Sequence, residues 1–236
     1  MNTPDQSRRT FLHLGSGGMV AATGLALTGC GGEKDVGAVE DLMREHGILR
    51  RALFAYTEAT TRLRDGAALV DAGALRRAAM LFRTFGEDYH ERLLEEAHIF
   101  PAIRKLQGPV AAYADVLTAQ HQRGREITDY ILGVTGRGTI GVAEREPMAR
   151  AMETLVHMYR VHAAHEDTVV FTAWKQALSG HELEEMGDKF EEIEHQQFGK
   201  DGFDDAAHQI ADIEQALGLA DIAQFTAPVI TAPAPA

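Results

Sequence analysis

The sequence predicts an all-α protein, an up-down-up-down four-helix bundle with a short C-terminal helical extension. Three observations predict it. Apolar residues recur at helical spacing over long windows, no stretch alternates with a period of two for long enough to make a strand, and Gly, Pro and Asp-Gly punctuation falls between the windows. At 236 residues and 45% hydrophobic content, the chain is long enough for one domain with a sizeable core and too short for two full ones.

The first helix spans 38–64, with Val39, Leu42, Met43, Leu49, Leu53 and Tyr56 at helical spacing, and ends at Asp65-Gly66. A second runs over about 71–106 and stops at Gln107-Gly108-Pro109, with Pro101 expected to kink or break its last turns. A third covers about 110–134 and closes in the glycine-rich TGRGTIG. The fourth begins near Glu146-Pro147, because proline suits a first helical turn, and continues to Leu178. These four make a bundle over 38–179. The extension, 180–220, holds a shorter helix in HELEEMGDKFEEIEHQQFG and another over about 204–217. Residues 221–236, ending TAPVITAPAPA, are expected to be a disordered Ala/Pro tail.

Residues 1–29 are a different kind of sequence. SRRTFL, with Arg8 and Arg9 paired, precedes the small, apolar run LGSGGMVAATGLALTGC, which is too short and too glycine-rich for a comfortable membrane span. The pattern resembles a twin-arginine export signal, an address read by a receptor. Leu27-Thr28-Gly29-Cys30 resembles a lipobox, which implies lipidation at Cys30 and a short linker over 30–37. The expectation is an exported protein of the cell envelope, held on the periplasmic side by a lipid anchor. Cys30 is the sole cysteine, so no internal disulfide can form. With 35 acidic against 23 basic residues and no Lys/Arg block, a nucleic-acid partner is excluded.

The helices carry a constellation that core packing does not explain. In DYHERLLEEAHIFP, Glu91 and Glu95 stand four apart, about 40° from one another on an ideal helix, whereas His90 lies about 140° from Glu95. In YRVHAAHEDTVVF, His162 and Glu166 again stand four apart. Overlaid, Glu91, Glu95, Glu96 and Phe100 match His162, Glu166, Asp167 and Phe171 position for position. The first and third helices add His46 and His121. Carboxylates in a bundle core need a compensating cation or partners, and Lys and Arg are scarce on those faces. Imidazole with carboxylate suits iron, manganese or zinc, and two carboxylates from opposite helices can bridge two metals. His98 and His165 read as packed on a neighbour or as supporting or spare ligands, Tyr89, Tyr159 and Trp174 as core or rim, and His195 as surface or packing.

The segments LMREHGILRR, DYHERLLEEAHIFPAI, LTAQHQRGREIT and YRVHAAHEDTVVF resemble the hemerythrin-like, or HHE cation-binding, family over about 39–178. The resemblance implies that His46, Glu95, His121, His162 and Glu166 are metal ligands, with Glu95 and Glu166 joining two iron ions. Where the family has a histidine four residues before the first bridging carboxylate, this chain has Glu91, with His90 just before it. Either can take the place. His90 can ligate beside Glu95 only if the helix widens into a π-bulge. A further family histidine, four after the first on the third helix, is replaced by Arg125. With Glu91 as a ligand the site is carboxylate-rich, which stabilises oxidised metals and departs from reversible oxygen carriage.

The function expected from this resemblance is binding of, or response to, dioxygen or a related small oxidant such as peroxide or nitric oxide. An oxidase- or peroxidase-like enzyme using the same site, and a structural bundle with one metal or none, are the alternatives.

Overall fold

A computed structural model of the chain describes residues 36–66 and 70–230. The expected export signal, the lipidation site Cys30 and the end of the Ala/Pro tail lie outside the described residues. Among the described residues all regular structure is helical, with no strand.

Six helical rods follow one another. The first is α1, Ala38–Asp65, which ends where Gly66 takes a left-handed conformation (φ 63°) and its N–H bonds the Arg62 carbonyl. The second starts as α2, Ala72–Leu81, capped by the Asp71 carboxylate accepting from the Ala74 N–H. It widens into a π-helical segment, Phe82–Ile99, and finishes as α3, Phe100–Ile103. Pro101 therefore does not break the rod. It stands where the π ladder gives way to the last, α-helical turn of the rod, α3.

A 3-10 turn at Pro109–Ala112 leads into α4, Tyr113–Thr135, the third rod. The fourth begins as α5, Val142–His165, four residues before the Glu146-Pro147 start that the sequence suggests. The Glu144 side chain accepts from the Gly141 N–H and fixes this earlier start, and Pro147 lies in an exposed early turn where water can serve the freed carbonyl. This rod also passes through a π-helical segment, Glu166–Val170, before ending as α6, Phe171–Ala177. Then come α7, Gly180–Phe198, with a Ser179–Glu182 capping box, and α8, Gly202–Leu217, capped by Asp201.

α1 packs along α5, α5 along α4, and α4 along α2, while the long π segment contacts both α1 and α4. The shared core includes Tyr56, Leu75, Phe82, Phe85, Phe100, Phe171 and Trp174, each at most 1% exposed. Burying each such side chain stabilises the fold by roughly 1.5–3 kcal/mol. α8 lies against α2 and α1, and α7 against α1 and the π segment. Arg51 clamps Glu214 with two bonds of 2.8 and 2.5 Å, and Phe198 packs edge-on to Tyr89 at 5.2 Å. Phe190 stacks on Trp174. Within 221–230 a 3-10 turn, Ile222–Phe225, sets Phe225 edge-on against Phe54. No helix of the described residues is long and apolar enough to cross a membrane.

Candidate metal centre

The two π segments determine which side chains meet. An i→i+5 ladder brings residues five apart into line along the rod, and the Phe100 N–H accordingly bonds the Glu95 carbonyl. On this ladder His90 and Glu95 point to one place, their Nε2 and Oε1 atoms 3.4 Å apart. On the fourth rod His162 and Glu166 keep a four-residue spacing, with Nε2 and Oε2 3.0 Å apart.

Four imidazoles and two carboxylates converge in the core. His46 Nε2 stands 3.1 Å from His90 Nε2, and His121 Nε2 stands 3.1 Å from His162 Nε2. Glu95 faces both pairs, with Oε1 toward His90 and Oε2 3.3 Å from His121 Nε2. Glu166 does the same, with Oε2 3.5 Å from His46 Nε2 and Oε1 4.0 Å from His121 Nε2. Glu95 and Glu166 are fully buried, and all six residues are at most 3% exposed.

Every imidazole is held from behind by its Nδ1. Asp167 holds His46 at 2.7 Å, Glu45 holds His90 at 2.6 Å, Glu96 holds His121 at 2.9 Å and Gln120 Oε1 holds His162 at 2.8 Å. An acceptor behind each ring places the proton on Nδ1 and turns the Nε2 lone pair inward. Phe171 stacks on His46 and Phe100 on His121, with centroids 5.5 and 5.4 Å apart, which fixes the ring planes.

The arrangement has an internal two-fold character that ties chemistry to sequence. The residue after each central carboxylate, Glu96 or Asp167, locks a histidine on a neighbouring rod. The residue before His46 and before His121, Glu45 or Gln120, locks a histidine on the second or fourth rod. Sequence reasoning passed over Glu45, Gln120, Glu96 and Asp167 as holders. Their signal was adjacency to a candidate ligand, repeated four times.

Glu91 goes elsewhere. Its Oε1 accepts from the Tyr159 hydroxyl and its Oε2 pairs with Arg125 at 3.0 Å. Glu91, Glu96 and His121 Nδ1 form a further acidic cluster, but the Arg125 guanidinium already sits on both carboxylates, 2.6 Å from Glu96. The expectation of a site enriched in free carboxylate by Glu91 is thus replaced by a Glu91–Arg125 ion pair. Tyr159 reaches Glu91 over Gly124, where a Cβ would fall 2.7 Å from its hydroxyl oxygen. Of the singled-out spare histidines, His98 lies against Phe190 and His165 bonds the Val161 carbonyl.

The inner group fits a metal on its own atoms. None of the four oxygens of Glu95 and Glu166 accepts a hydrogen bond, although all are buried. Such orphaned charges cost several kcal/mol unless a cation compensates them. At a metal–nitrogen distance of ~2.1 Å, two nitrogens on one ion would stand roughly 3.0–3.4 Å apart for angles from a right angle to a tetrahedral one, a range that includes the 3.1 Å of each imidazole pair. The electrostatics agree. Burial pushes the Glu166 carboxyl up, but His162 and His46 outweigh it and hold it well below the usual carboxylate range. Burial and Glu166 push Glu95 up, yet His90 and His121 bring it below its ordinary value. Burial opposes charge on His121, and Glu91, Glu95 and Glu96 still raise it to about 10. The cluster attracts positive charge.

Comparison with known proteins agrees with this chemistry. The hemerythrin HHE cation-binding domain matches residues 37–174. The chain belongs to that family. Hemerythrin HHE domains bind metal cations, typically iron, and the buried His/Glu group is where this member can hold one. Uncharacterised proteins of Mycobacterium bovis and of two Mycobacterium tuberculosis strains are each 41% identical over 195 residues, covering 82% of this chain and 75% of theirs. No solved structure matches.

Proposed function

We propose that this hemerythrin-family protein is a non-haem di-iron protein that binds or responds to dioxygen or a related small oxidant, peroxide or nitric oxide. One observation carries the two-ion reading. Around the four imidazoles, six carboxylates (Glu45, Glu91, Glu95, Glu96, Glu166, Asp167) face two guanidinium groups, Arg50 and Arg125. With neutral imidazoles that leaves four negative charges, the charge of two divalent ions. Protons are a poorer substitute, because two Nε2–H groups cannot face each other at the 3.1 Å of each pair.

In this reading the four long rods run up-down-up-down around the site. His46 and His90 would hold one ion and His121 and His162 the other, with Glu95 and Glu166 lying between the two pairs. Bound iron supplies one-electron chemistry toward a small oxidant. The chain's own residues orient the imidazoles through Nδ1, keep bulk water out with Phe100 and Phe171, and neutralise Glu91 through Arg125 and Tyr159. Arg8-Arg9 and the Leu27–Cys30 segment support a reading in which the chain is exported and lipid-anchored at Cys30, with the centre then on the periplasmic side of a membrane. Metal analysis of the exported protein tests the proposal: about two irons per chain with a near-ultraviolet oxo-bridge band supports it, and less than about half an equivalent of any transition metal after anaerobic loading rejects it. Stopped-flow mixing with dioxygen and with peroxide then reads which oxidant the centre answers.

A further inference from the structure

The two ion positions of this centre are not built alike. At the first, both imidazoles are backed by carboxylates: Asp167 on His46 at 2.7 Å and Glu45 on His90 at 2.6 Å. At the second, His121 is backed by Glu96 at 2.9 Å, but His162 is backed by the neutral amide oxygen of Gln120 at 2.8 Å. The backing carboxylates of His46 and His121 are matched in another respect, since Arg50 pairs with Asp167 and Arg125 with Glu96. Among the described residues Glu45 faces the Tyr89 hydroxyl, at 3.0 Å, and His90, with no guanidinium on it. The direct partners behind the four imidazoles therefore differ by one carboxylate, at the Glu45 and Gln120 places of the internal two-fold.

A carboxylate behind an imidazole makes its Nε2 a stronger donor, and losing such a partner typically weakens metal binding about 10–100-fold. Gln120 also presents its amide oxygen to only one ring, so it offers orientation without charge. Arg125 bears on the second position twice, through Glu96 and through Glu91, whose Oε2 lies 3.9 Å from His121 Nδ1. Glu91 offsets that guanidinium, so the wider charge matches the first position and the inequality lies in the direct partner of one imidazole.

We infer that the His46/His90 position binds a divalent first-row cation first and holds it tightly, and that the His121/His162 position, backed by Gln120, is the weaker and exchangeable one. Assembly is then sequential, with a one-metal form at limiting metal, and a second ion of a different element can enter the weaker position. Gln120 and Glu45 are positioning residues that set this inequality without touching the ions. The inference rests on the two-ion reading above.

The test is anaerobic titration of the metal-free full-length chain with ferrous iron, read by competition with a chelator of known affinity. The wild-type chain is expected to bind two equivalents in two steps separated about 10–100-fold. Gln120→Glu is expected to tighten the second step and close the gap, and Glu45→Gln to close it by weakening the first. Two equivalents of equal affinity in the wild-type chain, or an unchanged gap in either folded variant, would overturn the inequality and leave the two-ion reading standing. Saturation at a single equivalent would overturn both. If Gln120→Glu does not fold, Glu45→Gln carries the test alone.

Discussion

The second and fourth rods deliver the same ligand pair, a histidine and a carboxylate, by different spacings. On the fourth, His162 and Glu166 are four apart, and the π ladder is confined to the five residues Glu166–Val170. On the second, His90 and Glu95 are five apart, and the π ladder runs through 18 residues, Phe82–Ile99. The contrast shows that the hydrogen-bond ladder, and not sequence spacing, decides which side chain faces the buried His/Glu cluster. Shifting the histidine by one residue also releases position 91, which takes up Arg125 and Tyr159 instead.

The largest effects should come from what the rods share. Glu95→Ala and Glu166→Ala are each expected to abolish two-metal loading, with iron content falling to about half an equivalent or less, measured on folded protein checked by circular dichroism. The next experiment breaks the comparison at its point of difference. His90→Ala removes an imidazole that faces the cluster and is expected to weaken iron binding by roughly 100-fold or more, whereas Glu91→Gln, which alters an ion pair behind the site, should cost no more than about 10-fold. His98→Ala should leave loading near normal, since that ring packs on Phe190. The opposite ranking of His90 and Glu91 would mean that the four-residue spacing operates on both rods.

A smaller effect probes the long π segment away from the histidine cluster. Glu87 is fully buried, with Arg83 Nε 2.8 Å away, Thr128, Tyr56 and Arg125 on neighbouring rods, and Glu91 on its own. Burial raises its carboxyl from 4.5 to about 7 against the pull of Thr128 and Arg83. An acid whose folded pKa is raised favours the fold least when ionised, so this group costs stability increasingly as pH climbs from about 4.5 to about 7. Glu87→Gln removes that cost. The variant is expected to match wild type near pH 4 and to exceed it by roughly 1–2 kcal/mol at pH 8, read by urea denaturation. Equal stabilities at both pH values would mean that Arg83 keeps Glu87 ionised throughout.

Much of this was legible in the sequence. Apolar spacing and Gly, Pro and Ser-Gly punctuation marked all six rods, because helix stripes and caps are local. His46, Glu95, His121, His162 and Glu166 stood out because charge on an apolar stripe needs a partner. His90 and Glu91 could not be separated, because a π ladder depends on what the rod packs against and leaves no composition signal. Arg125 looked like a lost ligand, and only the packing of α4 on the second rod shows it as the counter-charge to Glu91 and Glu96. Gln120 and Glu45 carried a signal in their adjacency to His121 and His46, but its meaning needed the facing helix.

The most direct test of the central claim is anomalous diffraction at the iron edge from crystals of the loaded protein. The account predicts two iron peaks per chain, one beside His46 and His90 and the other beside His121 and His162, with Glu95 and Glu166 reaching both. A single peak, or an iron bound by Glu91 with His90 turned away, would contradict it.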